Sequence, residues 1–189
     1  IRSRNAADVA PQSVEAARAQ GTNLAFLGAN VAYWRVRLTE GWLGAGRMML
    51  GYKSAAADPQ GSKASATVRF RDAPSAQPEE ALTGQQYDCY PASGSFVVRT
   101  PSFFLFAGTG ASRGTQIAGL VGVEIDRPYP SSSTPRPLEV PSLSAASCRG
   151  RRTWSAFTYT APRGGAGTVA VGTMNWVRAL VDRQPQYGI

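Results

Sequence analysis

The 189-residue chain contains no histidine. Histidine is the side chain whose ordinary pKa lets it trade a proton near neutrality, and it is the commonest metal ligand. Its absence removes serine and cysteine triads in their usual form, and no Gly-x-Ser-x-Gly nucleophile elbow occurs either. Cysteine is almost as scarce. Cys89 and Cys148 form no Cys-x-x-Cys pair, and without histidine they cannot assemble a structural zinc site. They fit one disulfide in an exported protein or two thiols in a reducing compartment. Cys89 stands between Asp88 and Tyr90, where negative charge disfavours a thiolate, so it makes a poor nucleophile.

Other signatures are missing too. No run approaches the ~18 consecutive apolar residues of a spanning helix, so the expectation is a soluble protein, cytoplasmic or exported, without a membrane partner. No Gly-Lys-Ser/Thr phosphate loop is present. Gly108-Thr109-Gly110 is followed by Arg113 where a dinucleotide fingerprint needs glycine, so it reads as a turn. Lysine is confined to Lys53 and Lys63, yet the net charge is +8, because arginine supplies the other basic residues. Abundant Arg, Ala, Gly and Pro together are the habit of a GC-rich coding sequence. Arg149, Arg151 and Arg152, beside Trp154, form the densest basic cluster, but neither a wide basic stripe nor an RNA-type aromatic motif accompanies it. A solvated loop is expected there, and nucleic acid is not expected as a partner.

What is present suggests an α/β protein. Pro11 and Ser13 mark a helix start, Val14 to Ala19 favours helix, and Gly21 stands just past its end. Leu24 to Leu27 is a short apolar run, as in a strand covered on both faces of a mainly parallel sheet, and it leads into Gly28-Ala29-Asn30. In open α/β sheets such a strand end exposes unpaired N–H groups over a crevice, where Asn30 offers an acceptor and two donors. The chain closes with the same grammar: a strand at Thr168 to Val171, a turn at Gly172-Thr173 with Thr173 as helix cap, and a helix from Met174 to Val181. Between these ends, Arg47 to Tyr52, Thr67 to Arg71, Ser95 to Thr100, Phe103 to Phe106 and Thr153 to Thr160 read as strands, with Pro128 to Pro141 as a connector. The working model is one domain over 1–189, a partial doubly wound mainly parallel sheet with a β-rich insertion at roughly 45–105.

Glu124 lies inside the apolar segment Ile117 to Ile125. A carboxylate there must reach solvent, pair with a donor such as Arg127, or carry a raised pKa suited to proton transfer.

The segments N-L-A-F-L-G-A-N-V-A-Y-W-R-V-R, R-M-M-L-G-Y-K-S-A, A-L-T-G-Q-Q-Y, F-F-L-F-A-G-T-G, G-L-V-G-V-E-I-D-R, S-C-R-G-R-R-T, Y-T-A-P-R-G-G-A-G and G-T-M-N-W-V follow one another in an order that resembles the C-terminal domain of the N,N-dimethylformamidase large (beta) subunit family. The resemblance runs from about Gln12 to Leu180. It implies a glutamine-amidotransferase-like α/β fold and an amidohydrolase ancestry, in which metal-activated water attacks a small formamide-type carbonyl. Asn30 then corresponds to the family's active-site Asn and Glu124 to the carboxylate of its G-L-V-G-x-E segment. Similar proteins carry a His-Asp-Glu-Tyr-Trp-like segment before the first helix, where this chain has Ile-Arg-Ser-Arg-Asn-Ala-Ala-Asp. The family's iron ligands, tyrosines and a glutamate, lie in or before that segment. The chain is therefore expected to hold no cofactor itself and to be inactive alone, as a fragment or degenerate relative. The start, lacking Met and an apolar leader, suggests a missing N-terminal region, and a small amide substrate or a second copy are the expected partners. A non-enzymatic interaction module on the same scaffold is the alternative.

Overall fold

The helix expected at the start is present. In the computed structural model, which describes residues 6–162 and 166–182, with side chains for 13–162 and 166–178, α1 spans Ala6–Ala19. It begins before Pro11 and gives way to Gly21, whose φ of +95° suits a residue without a Cβ. The strands are β1 (Leu24–Phe26), β2 (Arg37–Gly41), β3 (Gly44–Leu50), β4 (Gln85–Val97), β5 (Gln116–Pro128), β6 (Leu138–Cys148), β7 (Arg151–Thr160) and β8 (Thr168–Ala170). A one-turn helix α2 (Glu80–Thr83) precedes β4, and α3 (Asn175–Asp182) follows β8. Residues 1–5 and 163–165 lie outside the described residues.

Six strands pair in the order β1-β8-β7-β6-β4-β5, and only β1–β8 is parallel among them. This overturns the expected doubly wound, mainly parallel, glutamine-amidotransferase-like sheet. Parallel neighbours need long crossovers, usually helical. Here the described helices sit near the ends of the chain and in the single turn α2, while the middle returns on itself in antiparallel pairings. β6 and β7 meet at Arg149-Gly150, both at positive φ (50° and 76°), the backbone of a two-residue hairpin turn. Nor is β1 covered on both faces: it is an edge strand, and Leu27 just beyond it is 42% exposed.

The sheet curls. β5 stands last in the pairing order, yet it returns against the residues that follow β8. An isolated antiparallel bridge joins Ile125 to Thr173, Asp126 N–H donates to the Gly172 carbonyl (3.0 Å), and Met174 N–H donates to that of Glu124 (3.2 Å). Gly172, at φ +63°, makes this turn available. A Cβ there would lie 2.3 Å from the Ala156 carbonyl oxygen and 2.6 Å from Gln85 Oε1. Thr173, expected as a helix cap, instead serves β5: its hydroxyl accepts Gly122 N–H at 2.9 Å and points at the Leu120 carbonyl. Buried Gln85 divides its amide hydrogens among the carbonyls of Ala156 and Ala170 and the hydroxyl of Thr158, tying β4 to β7 and β8.

Inside the curl, Phe96, Phe103, Leu120, Val121, Ile125, Phe157 and Val171 form the core, and Trp176 of α3 stacks on Phe157. Truncating a buried Phe in such a cluster costs about 3–5 kcal/mol. The Phe103 to Phe106 segment, expected as a strand, is a short 3-10 turn over Phe104–Phe106 that leaves Phe103 in this core.

β2 and β3 form a separate antiparallel ribbon whose turn carries Trp42, 93% exposed, and Leu43. Beside it, the expected strand at Thr67 to Arg71 is a short ladder: Arg35 N–H donates to the Val68 carbonyl and Phe70 N–H to that of Tyr33, around a Trp34–Arg69 bridge.

Of the two states open to the cysteines, the structure holds the disulfide, Cys89–Cys148, joining β4 to the end of β6 across 59 positions. Closing a loop of that length restricts the unfolded chain by about 4 kcal/mol in the chain-entropy model. Reduction, or the double substitution C89S/C148S, should lower the unfolding free energy by an amount approaching that value in urea titrations with and without reductant.

Candidate functional site

The Asn30 turn leaves β1 and has to reach Tyr33, where the ladder with Phe70 begins. It does so through two left-handed residues, Asn30 (φ 62°) and Ala32 (φ 51°). Asparagine tolerates that region better than most residues, whereas alanine occupies it at a cost. The turn is held from across the molecule. Asn30 N–H donates to both carboxylate oxygens of Asp126, at 2.9 and 3.1 Å. Asn30 Oδ1 is buried without a hydrogen-bond partner.

Of the two residues singled out from the sequence, Asn30 is bonded to Asp126, and Glu124 acts on that carboxyl through its charge. Glu124 is half-buried on β5, two residues before Asp126, the spacing that puts alternate side chains on one face of a strand. The expected pairing with Arg127 is absent: Arg127 stands 3.7 Å from Asp88 and over the Tyr129 ring. Among the described residues Glu124 has no ion pair.

Asp126 itself was not singled out, and it is the most unusual group here. It is 3% exposed. Burial pushes its carboxyl up to about 7, the Asn30 N–H opposes that shift, and the negative charges of Glu79 and Glu124 add to it. Its signal in the sequence was the period of two: in a half-buried strand, an acid at 124 shares its face with the acid at 126. Opposite it in the β4–β5 register is Tyr87, whose hydroxyl is pushed above its ordinary pKa by burial and then by Glu124. The Tyr87 ring packs 4.7 Å from that of Tyr33, and the Arg71 guanidinium lies 5.0 Å over Tyr33. Arg71 is occupied by Glu79, Gln86 Oε1 (2.9 Å) and the Tyr87 carbonyl (3.3 Å). Burial raises Glu79 despite Arg71. The Asp72 to Glu80 segment thus ends in two buried carboxylates, Glu79 and Glu80.

This arrangement can present an amide donor, a half-buried carboxylate, a phenol and a carboxyl group able to gain or lose a proton near neutrality. The iron ligands that the resemblance implies, tyrosines and a glutamate, belong to the segment ahead of the first helix or before it, not to these residues. Among the described residues no three His, Cys, Asp or Glu side chains are grouped to hold a metal ion, and Asp126 and Glu79 are committed to Asn30 and Arg71.

A carboxyl whose folded pKa is raised binds its proton more tightly folded than unfolded, so its contribution to stability falls as pH rises from about 4 to about 7. D126N removes the charge while keeping an acceptor for Asn30. It should therefore unfold at higher urea than wild type at pH 8, with the gap narrowing at pH 5, in denaturant titrations at the two pH values.

Comparison with known proteins bears on this site. No curated protein sequence matches the chain. A family model described as N,N-dimethylformamidase beta subunit-like, C-terminal, matches residues 10–187, a span that includes both Asn30 and the β5 acids. The chain belongs to the N,N-dimethylformamidase beta subunit-like C-terminal family.

Proposed function

We propose that the chain is an amidohydrolase-like domain that receives a small amide at Asn30 and does not hydrolyse it alone. The observation that supports this reading is the Asn30 turn, a strained backbone held by a buried carboxylate, with the side-chain oxygen Oδ1 buried and without a partner. Asn30 Nδ2 would donate to the substrate carbonyl and to the negative charge that develops on it. Glu124, without an ion pair, would accept a proton from the attacking water or pass one to the leaving amine. The described residues contain no histidine, no metal cage and no activated thiol, the cysteines being bonded to one another. An attacking nucleophile would have to come from elsewhere. Formamide, titrated into the protein and followed by NMR, should bind saturably, with N30A about tenfold weaker, the loss of one good hydrogen bond. Absence of saturable binding sinks the site, and turnover by this chain with added ferrous iron sinks the claim that it is inactive alone.

A second reading, an interaction module built on the same scaffold, is favoured by the exposed β2–β3 ribbon with Trp42, Leu43 and Met49. If a second copy covers that ribbon, light scattering should show a concentration-dependent dimer that W42S abolishes. A monomer at every concentration counts against it. A nucleic-acid role gains nothing from the arginine cluster: Arg151 pairs with Asp88, Arg152 lies over Trp154, and Arg149 donates to the Tyr90 carbonyl.

A further inference from the structure

We propose that Asp126 is a positioning residue: its charged carboxylate, shared between both oxygens and the Asn30 backbone N–H, sets the left-handed turn that aims the Asn30 side chain, and protonation slackens that turn. The inference takes its purpose from the amide-site reading, but the Asn30 resonance that tests it does not depend on that reading.

Three observations carry it. First, the turn is poorly secured otherwise. Between the Phe26 carbonyl, bonded by Val171, and the Tyr33 carbonyl, bonded by Phe70, the hydrogen bond that the described residues supply is the one from Asn30 N–H to Asp126. It spans two strained residues, Asn30 and Ala32. Second, both carboxylate oxygens lie within 3.1 Å of the same nitrogen, an arrangement that a doubly negative-ended acceptor suits and a neutral acid, with one oxygen converted to a donor, suits less well. Third, among the described residues no cationic group bonds to that carboxylate. The groups around it are Glu124 on its own strand, Tyr87 across from it on β4, and Glu79 with Arg71 from the segment leading into α2, where Arg71 is already paired. Behind it stands the backbone of Gly172. A negative charge kept in such surroundings is held near the point of taking up a proton, and an asparagine would serve a merely structural role with less cost.

The test is the Asn30 backbone amide resonance, followed by 15N NMR from pH 5.5 to 8.5 in wild type, D126N and E79Q. With no histidine in the chain, a transition near neutrality has few other sources. The expected result is a single transition near pH 7 in wild type, its survival at a lower midpoint in E79Q, and a flat response in D126N. Formamide affinity should rise with pH through the same midpoint in wild type, by about tenfold between the extremes, and should lose that dependence in D126N. A flat Asn30 resonance in wild type overturns the proposal, and so does a transition that D126N retains or formamide affinity indifferent to pH. Should D126N fail to fold, the wild-type and E79Q titrations still decide. An Asn30 transition without formamide binding at any pH supports the role of Asp126 and removes the amide reading instead.

Discussion

Asp126 helps to close the sheet with its main chain and holds the Asn30 turn with its side chain. The main chain of Asp126 donates to Gly172, drawing the far edge of the sheet onto the segment that follows β8, while its side chain reaches Asn30 at the end of β1. The edge of β5 thus meets the segment that follows β8, and the seam between them is where the unusual side chains gather. Gly172, Thr173 and Gln85 all serve that closure. The aromatic core of Phe96, Phe157 and Trp176 fills the space it encloses.

Two buried aspartates show how surroundings, not burial, decide what a carboxylate does. Asp58 is 5% exposed, yet it faces the Arg37 guanidinium, the Thr67 hydroxyl and the N–H groups of Gln60 and Thr67. The Arg37 hydrogen bonds hold its carboxyl well below the usual range, and it organises the loop beside the β2–β3 ribbon. Asp126 is buried to the same degree with one backbone N–H and further carboxylates around it, and its pKa moves the other way. The first is a structural charge, neutralised on every side. The second lacks such neutralisation, and its burial favours the neutral acid.

Local chemistry was legible in the sequence where a signal stays within a few residues. The helix ending at Gly21, the turn at Asn30, the strand at Thr153 to Thr160 and the closing strand and helix all follow from capping, turn residues and alternation. The architecture was not legible, because the strand-turn-helix grammar at both ends is shared by parallel α/β folds and by this curled sheet. What separates them is the pairing of the middle strands, and β4 to β7 carry bulges that blur their alternation: the β4–β5 register shifts three times, near Val123 at φ 64° among other places. Asn30 and Glu124 stood out because each is polar in an apolar setting. Asp126, Tyr87, Tyr33 and Arg71 did not, since their significance comes from meeting across the seam rather than from their neighbours in the chain.

The seam also has a kinetic consequence. Asn30 and Asp126 lie 96 positions apart, and Gly122 meets Thr173 across 51. The β4–β5 and β6–β7 hairpins need far shorter loops and are free to form early, whereas joining β1, β5 and the segment after β8 has to wait until most of the chain is in place. Partly folded chains therefore carry hairpins without the contact between Asn30 and Asp126. The left-handed turn at residue 30 is secured only in molecules that have completed their longest-range contacts.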